Sequence, residues 1–408
     1  MGAFSGEIAP PSLRKLWIYG VTAAAAWFGS TCWQLMNGWW LIDGAGRQLA
    51  TNALCFWSAG RLALAGQAAA IYDPQALGAA EHAEVAGAFT TMSWCYPPTF
   101  LLTSLCLAGL PYLWACGTWL VVTGLGYVAA IRAILPYRLG AVLALAAPVV
   151  LINTALTETG FAIAALAGVA LIWLDERPIL AGVALGCLTF KPQFGLLFPL
   201  VLMATGRWRV FFSATATALG LAALTALLVG SEVWSVFFQS LPTIGNHIIG
   251  DRPSFDGDGV DWWNIQTWHA VARVLGAGDG IGWSIYAVTA VSLAVAMCLL
   301  WRSAAAFELK AAALASASFL ATPYVMVYDA TLMVVAVAFL IRHGLAAGFR
   351  RGDIGICVFA LFSPLYLLVW WGGIPLLPLA CTILLIWILR RAFIETARPI
   401  IVEPAIAR

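Results

Sequence analysis

Three ionisable side chains stand out because the sequence around them is apolar. Lys191 lies in TFKPQ (residues 189–193), Glu158 in the turn NTALTETG (153–160), and Asp329 directly after TPYVMVY (322–328). A lone cation beside a helix-breaking proline can bind an anion together with the backbone N–H groups that the proline frees. A carboxylate at membrane depth is costly enough to be a candidate polar site, and it can orient a hydroxyl group. The three residues therefore predict a polar site suited to a phosphate ester and an acceptor.

Each of the three also has a purely structural explanation. The Lys191 side chain could extend to a membrane surface while its methylene groups stay in apolar surroundings. Glu158 could cap the helix that follows, because Thr-Glu-Thr-Gly is favourable helix-start chemistry. Asp329 begins an apolar segment a few residues after Pro323, which breaks the helix. A role in a polar site and a purely structural role explain Asp329 equally well.

The composition excludes an ordinary water-soluble domain. Of the 408 residues, 62% are apolar and only 10% are charged, against about 25% charged residues in globular proteins. Mean hydropathy is +0.91. We therefore predict an all-α polytopic membrane protein forming a single domain over residues 1–408. The net charge of +2 gives no indication of nucleic-acid binding.

The apolar runs predict about twelve transmembrane helices. They cover residues 16–36, 113–131, 139–155, 160–174, 178–190, 192–204, 210–230, 281–301, 309–323, 329–341, 354–371 and 374–389. With this count, sixteen Arg and Lys residues are cytoplasmic and five lie outside. That distribution follows the positive-inside rule.

Two segments leave the topology open. Residues 178–204 contain two runs that are short for a span, and a single helix kinked at Pro192 would invert everything after it. Residues 98–110 are interpreted as an interfacial helix, and a crossing there would move Arg132 and Arg138 outside. We favour the twelve-span arrangement because it keeps the basic turns 302–310 and 342–351 in the cytoplasm.

Two long outer segments, 37–112 and 231–280, are expected to contribute to function. In the first, residues 52–72 alternate small, apolar and polar side chains and predict an interfacial helix on the membrane surface. The second is predicted to be polar and acidic, with His247, Asp251, Asp256, Asp258 and Asp261.

Metal, disulfide and nucleotide motifs are weak or missing. Glu81, His82 and Glu84 do not share one helical face, and the acidic run 251–261 lacks the spacing and final Glu of an EF-hand. We predict no metal site and no cofactor. The nine Cys include no CxxC and read as small apolar residues, although one bridge among Cys55, Cys95 and Cys106 stays possible. No GxSxG, HExxH, Walker or dinucleotide motif occurs.

The motifs together resemble glycosyltransferase family 87. They are FWSAGRLALAG (56–66) with YDP (72–74), YPPTF (96–100), KPQ (191–193), GRW (206–208), and PY (323–324) with YD (328–329). The resemblance covers nearly the whole chain. It implies a GT-C-type fold, with interfacial helices in the first outer loop, and a relationship to mycobacterial mannosyltransferases.

The resemblance also implies a reaction. A hexose, mannose-like, would move with inversion from a polyprenyl-phosphate sugar to a lipid or envelope-glycan acceptor, on the periplasmic face of the bacterial inner membrane. A carboxylate of the first loop would deprotonate the acceptor hydroxyl. Membrane lipids are the other expected partners, and no nucleic acid is expected.

Two departures from the family pattern concern this base. Where relatives usually carry Asp-Phe shortly before the Phe-Trp pair, this chain reads TNALCFW (51–57), which puts Asn52 at the base position. Where relatives often carry a Gly-Gln-Asn type of turn, this chain has Glu158. Glu158 could replace the base, as could Asp43, Asp73 or Asp329. The alternative is a degenerate homologue, such as a lipid-linked-sugar transporter or binding subunit.

These considerations define the predicted site. Asn52 occupies the family base position, and Glu158 and Asp329 are candidate catalytic carboxylates. Lys191, Gln193 and Arg61 are predicted to bind the donor phosphate. Four residues are predicted to line the substrate cavity, namely Tyr96, Tyr324, Tyr328 and His269.

Overall fold

A computed structural model describes residues 11–86, 89, 91–136, 138–249, 265–368 and 373–397. These residues are mostly helical, and nine helices precede Lys191. The helices are α1 (Pro11–Met36), α2 (Asn52–Leu64), α3 (Pro74–Glu84), α4 (Leu101–Ala108), α5 (Tyr112–Ile134), α6 (Arg138–Ala146), α7 (Val149–Leu156), α8 (Gly160–Trp173) and α9 (Pro178–Cys187).

Nine further helices follow in the described residues. They are α10 (Leu197–Ala204), α11 (Trp208–Val229), α12 (Glu232–Ile249), α13 (Trp268–Val274), α14 (Asp279–Arg302), α15 (Phe307–Leu320), α16 (Thr331–Ala347), α17 (Asp353–Phe362) and α18 (Leu377–Ala397). Short 3₁₀ turns occupy Ala68–Tyr72, Pro98–Phe100, Leu188–Phe190, Pro192–Gly195, Val327–Ala330 and Ser363–Leu368. The sequence did not predict a two-residue hairpin, in which β1 (Trp39–Trp40) pairs antiparallel with β2 (Ile42–Asp43).

Five helical segments are long and apolar enough to cross a membrane: Tyr112–Ile134, Trp208–Val229, Asp279–Arg302, Val327–Ala347 and Leu377–Ala397. Helices α6 and α7, bent by 61° relative to each other, make six if they are counted as one span. The predicted count of twelve is not confirmed, because α8, α9 with its 3₁₀ turn, and the 192–204 and 353–366 segments are shorter apolar helices.

The helices differ strongly in what surrounds them. Helices α15 and α16 form the centre, with every residue from Ala311 to Leu320 buried. By contrast, α11 and α14 expose apolar side chains such as Leu227 and Leu299, which are 83% and 66% exposed. Large apolar surfaces on long helices fit lipid contact, so the outer helices support the membrane assignment.

The basic turns meet at one end of the bundle. Arg207, after α10, pairs with Asp175, before α9, at 3.0 Å. Arg342, near the end of α16, pairs with Glu308 and donates to the carbonyl of Ile134 at the end of α5. Because residues 175 and 207 are in contact, the chain between them runs out to Lys191 and returns. Two short helices, rather than one kinked span, therefore form residues 178–204.

The segment around α4 stays at the opposite end. The indole N–H of Trp57 in α2 donates to the carbonyl of Leu110, and Tyr112 contacts Thr51 at the start of α2. Helix α4 has eight residues and is therefore about 12 Å long. This helix does not cross the bundle, as the sequence predicts.

The first outer segment is more deeply packed than an interfacial helix requires. Nine of the thirteen α2 residues are buried, and Gly60 lets α2 approach the backbone of Ser104 in α4. The protein itself covers most of α2. In the second outer segment, α12 occupies Glu232–Ile249, a helix that the sequence did not predict.

Candidate functional site

Glu158 lies in a tight turn between α7 and α8 that fixes its carboxylate. Thr157 adopts left-handed backbone angles at the end of α7, and Asn153 accepts the backbone N–H of Gly160 at 2.9 Å. The Glu158 Oε2 atom accepts the backbone N–H of Thr159 at 2.9 Å. The side chain is only 2% exposed. The turn therefore presents a buried carboxylate in one defined orientation.

Asn52, the first residue of α2, holds the other carboxylate oxygen. Its Nδ2 donates to Glu158 Oε1 at 2.7 Å. Burial raises the pKa of the Glu158 carboxyl, while the positive charge of Lys191 and the hydrogen bonds from Asn52 and Thr159 lower it. A raised pKa suits a group that takes up a proton during a reaction. Asn52, which the resemblance puts at the base position, thus contacts a carboxylate that is 106 residues away in sequence.

Lys191 lies where the chain turns between α9 and α10. Pro192 prevents a continuous helix there, and two short 3₁₀ turns flank the lysine. The ammonium group lies 3.0 Å from Asp329 Oδ1, with side-chain exposures of 3% and 0%. It also lies 4.7 Å from the Tyr328 ring centroid and 5.8 Å from that of Tyr96. The tyrosine faces add cation–π attraction to the ion pair.

Asp329 anchors this lysine from behind. Its Oδ2 accepts the backbone N–H of Met326 at 3.0 Å, while its Oδ1 binds Lys191. Asp329 does not line the cavity that Lys191 faces. The geometry gives Asp329 a positioning role rather than contact with a substrate.

The two turns are packed directly against each other. The hydroxyl of Thr331 donates to the carbonyl of Gly160 at 2.7 Å. A Cβ atom on Gly160 would lie 2.3 Å from the backbone oxygen of Tyr328. Glycine at 160 therefore permits the close approach that places Glu158 and Lys191 in one site.

A cavity of about 450 Å³ opens between these turns. Seven of the ten predicted site residues line it, namely Asn52, Tyr96, Glu158, Lys191, Gln193, Tyr324 and Tyr328. A buried cation, a buried carboxylate and three tyrosines thus share one space. Such a space can bind an anionic group at Lys191 while Glu158 accepts a proton from a hydroxyl.

Arg61 and His269 lie away from this cavity. Arg61 is on the exposed side of α2, with its guanidinium 5.4 Å from the Trp57 ring centroid. His269 is buried between α13 and α14, 3.6 Å from Asp279 and beside the Trp283 ring. The prediction that they contact the donor or the sugar gains no support, because neither side chain reaches the cavity lining.

Two alternative bases from the first outer segment have structural partners instead. Asp43 binds Arg47 at 2.6 Å, and this contact keeps the Asp43 pKa low. Asp73 caps α3 by accepting the backbone N–H of Gln75. Neither lines the cavity.

Sequence reasoning missed the cavity wall that α12 provides. Phe237, Leu241 and Ile244 line the cavity from this helix. With Val233, which is buried, they recur at positions i, i+4, i+8 and i+11, the spacing of one helical face. That periodicity was the signal that could have revealed α12.

Glu81 does not line the cavity but binds the segment 91–93, which forms another of its walls. It is 1% exposed, and its Oε2 accepts the backbone N–H of Met92 at 3.1 Å. Met92 and its neighbours Thr91 and Ser93 line the cavity. Burial raises the pKa of Glu81 to about 7. Its sequence position beside His82 gave no indication of this role.

Within the residues that the structure describes, no three His, Cys, Asp or Glu side chains lie close enough to hold a metal ion. The acidic residues Asp251, Asp256, Asp258 and Asp261 lie outside the described residues. All nine cysteines are free, including Cys55, Cys95 and Cys106. The possible disulfide among these three is therefore not formed.

Comparison with known families identifies the type of protein. The model of glycosyltransferase family 87 matches residues 94–327. The chain belongs to glycosyltransferase family 87. Membership implies a membrane glycosyltransferase, in agreement with the long apolar helices. No curated protein and no solved structure matches the chain significantly.

The matched region contains much of the site but not all of it. Tyr96, Glu158, Lys191 and Tyr324 lie inside the match, whereas Asn52 and Asp329 lie outside it. The structure brings both outlying residues into contact with residues of the matched region. The candidate site therefore joins the two.

Proposed function

We propose that this family 87 protein transfers a mannose-like hexose from a polyprenyl-phosphate sugar to a lipid or envelope-glycan acceptor. The transfer would proceed with inversion on a GT-C-type fold. The observation that carries the proposal is the shared cavity of Lys191 and Glu158. A phosphate leaving group requires a cation, which Lys191 provides. An attacking hydroxyl requires a base, which Glu158 provides.

Glu158 is the proposed general base. Its Oε1 accepts one hydrogen bond, from Asn52, and keeps a lone pair for a further donor, whereas Oε2 accepts both the backbone N–H and the hydroxyl of Thr159. The acceptor hydroxyl would donate its proton to Glu158 as its oxygen bonds to the anomeric carbon. The bond between that carbon and the phosphate oxygen breaks, and the phosphate takes the electron pair. One displacement of this kind inverts the anomeric centre.

Lys191 is the proposed phosphate-binding residue. One N–H of its ammonium group is directed to Asp329, and an ammonium has two more. Negative charge grows on the phosphate as the bond breaks, so a fixed buried cation stabilises the transition state. Gln193 lines the same cavity and can donate to the phosphate or to the sugar.

A second cavity supports a lipid-linked donor. It is an apolar groove of about 280 Å³ between α9, α10 and α11. Pro192 lines both this groove and the reaction cavity. The polyprenyl chain of a donor whose phosphate lies at Lys191 could therefore enter the groove at the next residue, Pro192. Burial of each methylene group of that chain contributes about 0.8 kcal/mol.

The proposed location of the reaction is the periplasmic face of the bacterial inner membrane. Lys191 lies at the opposite end of α9 and α10 from the Asp175–Arg207 pair. The basic turns that meet at the latter end follow the pattern of cytoplasmic loops. The cavity would accordingly open outward.

A transfer assay tests the function. Purified protein in lipid nanodiscs would receive labelled polyprenyl-phosphate mannose or glucose with a bacterial lipid extract, and products would be separated by chromatography. We expect transfer by the wild type, little by Lys191→Met, and wild-type transfer by Lys310→Met. Lys310 is a matched control because it binds the carbonyl of Ser303 near the basic end.

Two outcomes would contradict the proposal. Equal transfer by Lys191→Met and wild type would remove the role of Lys191. Binding of the labelled donor without transfer to any acceptor would favour the alternative, a lipid-linked-sugar binding protein. Asn52 at the family base position is the feature that favours that alternative.

A further inference from the structure

We propose that a small cleft beside the reaction cavity binds the neutral, hydroxyl-rich headgroup of the acceptor. The cleft has a volume of about 110 Å³ and lies between the 3₁₀ turn Ala68–Tyr72, the segment 93–95 and helix α12. The inference rests on the proposed transfer reaction. It adds the place and the chemical class of the group that receives the sugar.

The lining of the cleft has the chemistry of a carbohydrate site. Ser93, Ser240 and Thr243 line it together with the aromatic residues Tyr72 and Trp94. Hydroxyls exchange hydrogen bonds with a polyol in both directions, and the Tyr72 ring, which is less buried than that of Trp94, can pack against the apolar face of a sugar ring. Serine, threonine and aromatic residues are the groups that fix an uncharged polar ligand in a pocket.

The described residues of this lining include no charged side chain. A phosphate or carboxylate headgroup would require a cation, and charge-assisted bonds to Arg or Lys are the usual solution. Lys191 lines the reaction cavity but not the cleft. The reaction cavity therefore suits an anion, and the cleft suits a neutral group that carries hydroxyls.

The cleft and the reaction cavity share a wall. Ser93, Cys95 and Ile244 line both spaces. The Tyr72 hydroxyl donates to the carbonyl of Tyr96 at 2.9 Å, and Tyr96 itself lines the reaction cavity. A headgroup held in the cleft would therefore direct its next hydroxyl toward the space that Glu158 faces.

The polar groups of the cleft retain capacity for a ligand. The Ser240 hydroxyl donates to the carbonyl of Val236 at 2.8 Å, which leaves its oxygen free to accept. Trp94 is 2% exposed and packs against the Phe100 ring, so its position is fixed by the core. A rigid aromatic wall and hydroxyls with free lone pairs form a prepared subsite.

Steady-state kinetics with separate donor and acceptor titrations test the inference. We expect Ser240→Leu, which fills the cleft, and Thr243→Val, which removes a hydroxyl, to raise the acceptor KM. The loss of one hydrogen bond corresponds to about 3- to 10-fold. The donor KM should stay unchanged. Ser235→Ala is the matched control, because Ser235 lies on the exposed side of the same helix.

Equilibrium binding keeps this inference separate from the proposed function. Labelled octyl mannoside would be titrated into wild type and Ser240→Leu in nanodiscs without donor. Weaker binding to Ser240→Leu supports the cleft even if the wild type transfers nothing, in which case only the reaction is rejected. Equal octyl mannoside binding by both proteins, or an unchanged acceptor KM in both cleft variants, would overturn the inference. A parallel rise in donor KM would also overturn it.

Discussion

The amide nitrogen of Asn52 donates to Glu158 Oε1 at 2.7 Å, although the two residues belong to different parts of the chain. The amide that the resemblance puts at the base position therefore contacts a carboxylate at 158, where the resemblance predicts a different type of turn. The cavity therefore contains a carboxylate, but on Glu158, the hydrogen-bond partner of Asn52, and not on residue 52 itself. Glu158 is for this reason the first residue to mutate.

Glu158→Gln tests the base directly. Glutamine keeps the shape and can still accept from Asn52, so we expect normal donor binding and a kcat lower by about 10²- to 10⁴-fold. Because burial raises the Glu158 pKa, wild-type kcat should fall as pH drops through that raised value. The variant should lack this acidic limb. A variant that keeps both the wild-type rate and the limb would rule out Glu158.

Asn52→Asp tests whether the family base position is merely degenerate. The new carboxylate would lie against Glu158, and two adjacent carboxylates resist simultaneous ionisation. We expect one of them to stay protonated, so the acidic limb of kcat moves to higher pH and the rate at neutral pH falls. The pH profile is the measurement. A neutral-pH rate above that of the wild type would instead assign the base to position 52.

The sequence predicted which polar residues share the cavity better than it predicted the helices around them. Lys191 was recognisable because a cation beside Pro in apolar sequence has few other uses. The contact of Lys191 with Asp329 spans 138 residues, and no spacing rule reaches that far. The sequence nonetheless predicted that the two residues lie at the same end of the bundle, because both fall on the same side of the predicted spans.

The predictions that gained no support from the structure have physical causes. Arg61 belongs to a segment whose sequence resembles the family, but α2 turns it away from the cavity, and nine of the thirteen residues of α2 are buried. Span prediction relies on a run of about 20 apolar residues. Helices such as α9, with ten residues of which five are buried, are shorter than such a run, and apolar content alone does not show whether they cross the membrane.

The Lys191–Asp329 pair gives a prediction that separates stability from activity. Lys191→Met leaves Asp329 buried without its partner, which should lower the free energy of unfolding by about 3–5 kcal/mol. Adding Asp329→Asn should recover most of that stability without restoring transfer. Thermal unfolding in detergent and the transfer assay are the measurements. Restored transfer in the double variant would show that the pair serves folding alone.

Gly160→Ala probes the close contact between the two turns. The new Cβ would lie 2.3 Å from the Tyr328 backbone oxygen and 2.6 Å from Asn153 Oδ1. Relief of this overlap must move the Glu158 turn, at a cost of about 1–3 kcal/mol. A displacement near 1 Å can lower kcat by about 10²-fold. Gly220→Ala, which meets no atom within 4 Å, is the control, and equal kcat values in both variants would contradict the expectation.

Ala218→Trp tests whether the apolar groove holds the chain of the donor. Ala218 lines this groove, whereas Ala216 on the same helix does not. Tryptophan at 218 should displace the distal part of a long chain, so the donor KM should rise at least about tenfold for a C55 donor, a loss of about 1.4 kcal/mol. A C10 donor ends before the obstruction and should keep its wild-type KM. Ala216→Trp adds the same bulk on the exposed side and should leave both KM values unchanged. Equal effects of Ala218→Trp on the two donors would show that the chain leaves the cavity by another path.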